Sequence, residues 1–503
     1  MEENKDYINI IYTKNLNKQN FNSILNVPVD ANVNIKTILN IDSFIFDEKI
    51  ECANGKAVIS GKIGLKVLYI DTDNITNTLT DSQPFSETIV DNSITADCYL
   101  NLTNSGIVNT VLSSDGNLKI GCDISFSPVL YINLGMNSNA NAYENMITKK
   151  SQLNTTTISN FVNTSFEYTT TFETKDNINK VLCHDSYFTA TGVTANDNYA
   201  IVDGKLFSTL VYETTVNDET VIKEIVDCFN VKTDVEIPNI TKENLLDLTF
   251  CLDKNAENIV TEIEDGNSII TVTNKIKVKG VVLKDISVDI VEDMYSVENE
   301  LELNYTNREY VCNCNKKDVV ENVSNEISLN KDEPAIDEVI SNLHVCPEIT
   351  NTYAKDGNLY VEGVVSSSFV YLDENREYKF KQLELPFVIN TKCEQEKLYS
   401  NNISVSVLSC KVKAKRGTII EIDYELNVSC CVYSTNEKEI VNNVTLGKSL
   451  DFSNYDYQIY IAKQNETLWD LSKRVKVYPD ELNKYNKDLP SVFEGGEKVV
   501  IKR

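Results

Sequence analysis

Hydrophobic and polar residues alternate over long runs of this chain, and one run is written three times. Val58-Ile59-Ser60-Gly61-Lys62-Ile63-Gly64-Leu65-Lys66-Val67-Leu68-Tyr69-Ile70-Asp71 is echoed by Ile201-Val202-Asp203-Gly204 through Val211-Tyr212-Glu213. It is echoed again by Tyr360-Val361-Glu362-Gly363 through Val370-Tyr371-Leu372-Asp373. In all three the tyrosine stands 8 positions after the glycine. Counting in twos, one face reads Ile63, Leu65, Val67, Tyr69; then Leu206, Ser208, Leu210, Tyr212; then Val365, Ser367, Phe369, Tyr371. A period of two is that of a strand with one face on a core. A glycine early in such a strand predicts a bulge, a bend or a close backbone approach. Recurrence at a fixed offset marks a triplicated structural unit.

The unit extends in both directions. An apolar residue lies 23 positions before each glycine, at Ile38, Val181 and Ile340. An aromatic lies 16, 17 and 16 positions beyond the tyrosine: Phe85 in Pro84-Phe85, Phe229 in Asp227-Cys228-Phe229, and Phe387 in Pro386-Phe387. Each unit closes with a glycine turn, Gly116-Asn117, Gly266-Asn267 or Gly417-Thr418, and a long alternating strand. In the last, Ile420, Ile422, Tyr424, Leu426 and Val428 face one way, and Glu421, Asp423, Glu425, Asn427 and Ser429 the other. Half-polar strands joined by turns predict antiparallel β-sandwich-like modules. The expected division is an N-terminal arm over 1–20, then repeats over 21–150, 151–310 (the divergent one) and 311–435. A linker over 436–455 and a C-terminal module over 456–503 complete it.

The period changes after Tyr460. Leu468, Leu471, Ser472 and Val475 fall on one face of a short helix. Thr467 caps it with Asp470 in a capping-box arrangement. Pro479 opens a second helix, and Tyr485-Asn486 ends it, asparagine tolerating the left-handed conformation. Gly495-Gly496 turns into Lys498-Val499-Val500-Ile501. The expectation is a βααβ module within a mainly β chain.

This module resembles a LysM domain, on Tyr460-Ile461, Thr467-Leu468-Trp469-Asp470-Leu471, Val477-Tyr478-Pro479-Asp480-Glu481-Leu482, Tyr485-Asn486 and Phe493-Glu494-Gly495-Gly496-Glu497. Asn465-Glu466-Thr467 stands where that family usually has Gly-Asp-Thr. The triplicated unit is similar to the SPOCS domain of clostridial sporulation proteins. The likeness rests on the Gly-to-Tyr strand, the Tyr-Ile-Asp or Tyr-Leu-Asp after it, and Pro-Phe. SPOCS repeats followed by one LysM is the arrangement of SipL-type spore coat morphogenetic factors. That resemblance implies a non-catalytic scaffold at the forespore surface, in the mother-cell cytoplasm. It implies a LysM that binds SpoIVA, the polymerising ATPase of the coat basement layer, with other coat proteins on the repeats. The alternative it implies is binding of peptidoglycan, an N-acetylglucosamine polymer. The candidate contact residues are Trp469, Thr467, Glu466, Asn465, Tyr460, Tyr457 and Lys448. Trp469, the only tryptophan, points about 100° away from the apolar face of its helix. It is expected either as an exposed aromatic anchor or as partly buried against the second helix or last strand.

Charge and residue usage narrow the partners. A net charge of −28 over 503 residues disfavours nucleic acid and anionic membrane surfaces, both of which attract basic patches. No basic segment followed by an apolar run opens the chain, and no stretch approaches about 18 apolar residues. The expectation is a cytosolic protein without membrane insertion. The thirteen cysteines read as small buried hydrophobes in a reducing compartment, Cys122 and Cys430 among them. Cys312-Asn313-Cys314 and Cys430-Cys431 lack zinc-site spacing. His184 and His344 are the two histidines, and both read as structural. There is no phosphate-binding loop, dinucleotide fingerprint or zinc-protease motif. The sequence therefore predicts no catalytic residue, no metal and no cofactor.

Overall fold

The computed structural model describes residues 7–27, 35–113, 118–137, 146–264, 266–330, 333–392, 400–451 and 457–502. The described chain is mainly antiparallel β, as the alternation requires. The Gly116-Asn117 turn lies outside the described residues.

In the first repeat, β1 (Tyr7–Asn15) and β2 (Gln19–Val27) pair end to end along one side of β7 (Leu118–Asn137). β6 (Tyr99–Ser113) lies along its other side. Between them in sequence, β3 (Ile35–Ala53), β4 (Lys56–Asp71) and β5 (Thr76–Val90) form a second sheet with β4 in the middle. The second repeat runs β8 (Met146–Thr174), β9 (Ile178–Asn196), β10 (Tyr199–Val216), β11 (Glu219–Glu236), β12 (Leu245–Leu252), β13 (Asn258–Glu264) and β14 (Asn267–Ser296). The third runs β15 (Asn299–Ser328), β16 (Ile336–Lys355), β17 (Asn358–Asp373), β18 (Tyr378–Lys392), β19 (Ser400–Lys415) and β20 (Ile419–Ser449). In each repeat the first strand pairs with the last. Residues 7–15, expected as an arm, therefore sit in the first repeat's sheet. The expected limit at 310/311 falls inside β15, and residues 436–449 continue β20.

The written-out faces of β4, β10 and β17 are core: none of their twelve residues is more than 5% exposed. The same holds for Ile420, Ile422, Tyr424, Leu426 and Val428. In the first and third repeats one apolar cluster fills the space between the two sheets.

The repeated glycine has a steric cause. Opposite Gly61, Gly204 and Gly363 the neighbouring strand carries a bulge, which pushes the carbonyl of Phe46, Thr189 or Glu348 towards the glycine. A ring covers the same spot: Phe85 in the first copy, Phe387 in the third. Phe229 pairs two residues away, opposite Leu206; Phe188 from β9 covers Gly204 instead. The Pro-Phe element and the glycine thus form one packing unit.

A second set of bulges joins the repeats. Tyr69 pairs with Ile38 and Tyr212 with Val181, but Tyr371 pairs with Val339. The residue equivalent to Ile38 is therefore Val339, one position before the Ile340 expected from spacing. The skipped residues, Leu39, Leu182 and Ile340, all enter one cluster with Leu68, Val211 and Val370. Equivalent positions of three repeats thus meet at a three-way junction. A bulge re-aims a side chain without changing the strand around it.

Beside this cluster lies a buried polar knot. A single 3₁₀ turn, Lys254–Ala256, separates β12 from β13. Lys254 Nζ reaches Asp42 Oδ1 at 2.9 Å and Asp185 Oδ1 at 2.8 Å. Asp42 and Asp185 are register equivalents, paired with Lys66 and Thr209 five residues after their glycines. In the third repeat a bulge at His344–Val345 follows Leu343. There the His344 backbone N–H donates to Asp185 Oδ2 at 2.7 Å, and its Nδ1 lies 3.2 Å from Asp42. Burial pushes the Asp42 carboxyl up, but Lys254 and His344 outweigh it and hold it well below the usual range. Burial likewise pulls Lys254 down, and Asp185 and Asp42 more than offset it, leaving the ammonium above its ordinary value. Elsewhere between the repeats, buried Asp247 accepts from Tyr131 Oη at 2.9 Å, Asn402 Nδ2 at 2.8 Å and Tyr433 Oη.

The C-terminal module is β21 (Tyr457–Ile461), α1 (Leu468–Val475), α2 (Pro479–Tyr485) and β22 (Lys498–Lys502). Leu471, Ser472 and Val475 face its core, as their spacing requires, with Leu468 packed at the margin. No helix among the described residues is long and apolar enough to cross a membrane.

Candidate functional site

The loop from β21 to α1 holds three of the expected contact residues. Thr467 Oγ1 accepts from the Asp470 N–H at 3.1 Å, and the Asp470 carboxylate accepts from the Thr467 N–H at 3.0 Å, closing the capping box. Glu466 is 8% exposed. It accepts from Arg474 Nε and Nη2 at 2.8 and 2.9 Å and from the Lys463 N–H. The Arg474 hydrogen bonds hold its carboxyl below the ordinary value. Asn465 is exposed, with φ of 62°. That is the left-handed conformation glycine adopts freely, and asparagine is among the few other residues that visit it. This loop lies against the chain before β22: the Asn465 N–H donates to Phe493 O, and Leu468 N–H to Ser491 O. Asn486 does not take the left-handed form; it is extended, and its side-chain amide bonds Leu482 O and both backbone groups of Val500.

Trp469 is elsewhere. It is half-buried, and its neighbour is β14 of the second repeat rather than α2 or β22. Nε1 donates to Asp293 Oδ2 at 2.8 Å, and the indole meets the Tyr295 ring edge to face at 5.2 Å. Lys448 is exposed near the end of β20. Tyr457 and Tyr460 lie on opposite faces of β21. Tyr460 turns towards the module, under the Arg474 guanidinium; Tyr457 faces solvent beside Lys502.

The solvent face of β21 reverses the usual polarity. Tyr457, Ile459 and Ile461 are 60%, 66% and 60% exposed, while Gln458 and Tyr460 turn inward. Across the pair with β22, these three stand opposite Lys502, Val500 and Lys498. An apolar strip with a lysine at each end results. Residues 457–503 hold nine Lys or Arg and seven Asp or Glu, so the module is locally +2 in a chain of −28. Ile459 and Ile461 were not singled out from the sequence, because alternation alone assigns the apolar face to the core.

One other group has the outline of a catalytic triad. His184 Nε2 lies 2.6 Å from Ser208 Oγ, and Nδ1 contacts the Glu257 carboxylate. A cavity of 560 Å³ is lined by His184 and Glu257 but not by Ser208, which is 0% exposed. A hydroxyl sealed in the core has no path to a substrate. The trio satisfies polar groups in the one repeat whose core is split into two apolar clusters. The twelve described cysteines are free thiols; Cys122, Cys410, Cys430 and Cys431 are buried as expected, whereas Cys228, Cys251 and Cys312 are exposed. No group of His, Cys, Asp and Glu among the described residues is arranged to hold a metal ion.

A family model described as SipL, SPOCS domain, matches residues 34–108. The match spans β3, β4 and β5 and ends within β6. It includes the Gly61-to-Tyr69 strand, Asp71 and Pro84-Phe85. Asp71 closes the β4–β5 turn by accepting from the Asp73 and Ile75 N–H groups at 2.9 Å, and Asp373 accepts in the same way from Asn375 and Glu377. No curated protein and no solved structure matches the chain.

Proposed function

We propose that this protein is a non-catalytic scaffold of spore coat assembly. In this reading the three repeats form a rigid β body at the forespore surface, and the LysM-like C-terminal module binds the coat ATPase SpoIVA. The SPOCS match supports the sporulation role. The observation that carries the binding role is the strip of Tyr457, Ile459 and Ile461, which the rest of the chain leaves exposed. Contiguous exposed apolar residues rimmed by charge mark interaction surfaces. Lys498 and Lys502 suit an acidic partner.

Peptidoglycan binding is the second reading. It is favoured by Asn465, whose left-handed backbone keeps the loop in the form a glycine gives. Capture of purified SpoIVA and sedimentation with purified peptidoglycan distinguish the two. Ile459→Asp with Ile461→Asp is expected to abolish ATPase capture and leave any glycan sedimentation intact. Equal capture by parent and variant removes the strip from the reading, and no capture by either sinks the partner assignment.

A further inference from the structure

Tyr295 stands one residue from the end of β14, beside the short connection from β14 to β15, yet it is 0% exposed. A strand end beside a connecting segment is ordinarily wet. The C-terminal module covers this one. Tyr295 Oη donates to Val477 O at 2.7 Å, Trp469 packs edge-on against its ring, and the Lys476 ammonium lies 5.9 Å from the ring centre. Two residues earlier, Asp293 accepts from Trp469 Nε1 with one carboxylate oxygen and from Lys473 Nζ with the other, the latter at 2.6 Å. Tyr305 of β15 completes the set by donating to Asp293 at 3.0 Å. The contact thus combines a charge-assisted pair, an indole hydrogen bond, an aromatic pair and a buried hydroxyl.

The chain also leaves the body here. Leu450 N–H donates to Glu298 O at 2.8 Å, in the β14–β15 connection itself. From Leu450 to Tyr457 the backbone reaches at most about 25 Å. A tether so short holds the module at high effective concentration over its own docking site.

We propose that Trp469 is the positioning residue of the C-terminal module, which it fastens to the second repeat through Asp293 and Tyr295. The fastening sets which face the module offers: α1 is spent on the body, and the β21–β22 face is left open. This assignment holds whatever the module binds, so its failure is separate from failure of the SpoIVA reading.

A zero-length carbodiimide cross-linker tests it on the full chain. The expected product is an amide between Lys473 and Asp293, formed within the monomer and independent of protein concentration. The exposed Lys415–Glu326 pair, at 2.7 Å, serves as the positive control. A control cross-link without the Lys473–Asp293 product overturns the proposal, as does a product confined to oligomers. The single tryptophan supplies a second readout. Asp293→Asn and Tyr295→Leu are each expected to move its emission to longer wavelength, while Tyr457→Ala leaves it unchanged. Emission unmoved by both body variants also overturns the proposal.

Discussion

Lys254 carries the most demanding prediction. It is a cation held between two carboxylates at the junction of three repeats, so Lys254→Met is the informative change. The contacts at 2.9 and 2.8 Å are each worth about 6 kcal/mol of Coulomb attraction at an effective dielectric of about 20. Burying the three charges costs several kcal/mol per ion, so the intact knot nets little. Removing the lysine alone leaves that cost on Asp42 and Asp185 without the attraction. The expected loss is about 3–5 kcal/mol. Lys254→Met with Asp42→Asn and Asp185→Asn is expected to recover most of it, because no buried charge is then stranded. Urea denaturation followed by far-UV circular dichroism reads both. The reasoning is refuted if Lys254→Met unfolds at the parent's urea concentration, or if the triple variant lies no closer to the parent than the single one.

The knot's pH dependence follows by sign. Asp42 is held below its unfolded value, so its stabilisation is present above about pH 4 and lost as pH falls towards the folded value. Lys254 is held above its unfolded value; its stabilisation is present below about pH 10.4 and lost as pH rises through the folded value. In Lys254→Met the stranded carboxylates take up protons more readily, so acidification narrows the gap between parent and variant.

Three further outcomes are expected. Gly363→Ala drives a methyl group onto the Phe387 ring and the Glu348 carbonyl and should cost about 1–3 kcal/mol in a thermal melt; an unchanged melting temperature removes the steric account of the repeated glycine. Asp247→Leu strands two tyrosine hydroxyls and Asn402 at about 1–3 kcal/mol each, and adding Tyr131→Phe and Tyr433→Phe should restore part of that stability. Thr467→Ala removes the capping box and should lower the module's stability by about 1 kcal/mol, read from the melt of Trp469 emission, whereas an equal loss from Thr467→Ser would assign the effect to packing.

The faces of β4, β10, β17 and β20 were readable because burial on one side imposes a period of two, and that period survives in the residues themselves. The capping box and the core face of α1 were readable for the same local reason. Bulges were not. Ile340 and Val339 are both apolar, so spacing could not tell the paired residue from the skipped one. Trp469 was placed correctly off its helix's apolar face, but what covers it is Tyr295, 174 positions earlier in sequence. Nothing local in Asp293 or Tyr295 announces that contact. Of the β21 strip only Tyr457 was singled out; Ile459 and Ile461 were not, because alternation alone does not say that an apolar face looks outward.

The Lys254 knot bears on how such a body can arise. In a trimer of identical chains, every residue at a three-way junction occurs three times, so an aspartate there meets two more aspartates and a lysine two more lysines. Joined in one chain, the copies are free to differ. Two copies carry an aspartate, the third carries Leu343 with a bulged histidine beside it, and a single lysine enters from an interruption that, among the described residues, only the middle copy has. That combination is open only to covalently linked repeats, and it makes their order along the chain non-interchangeable.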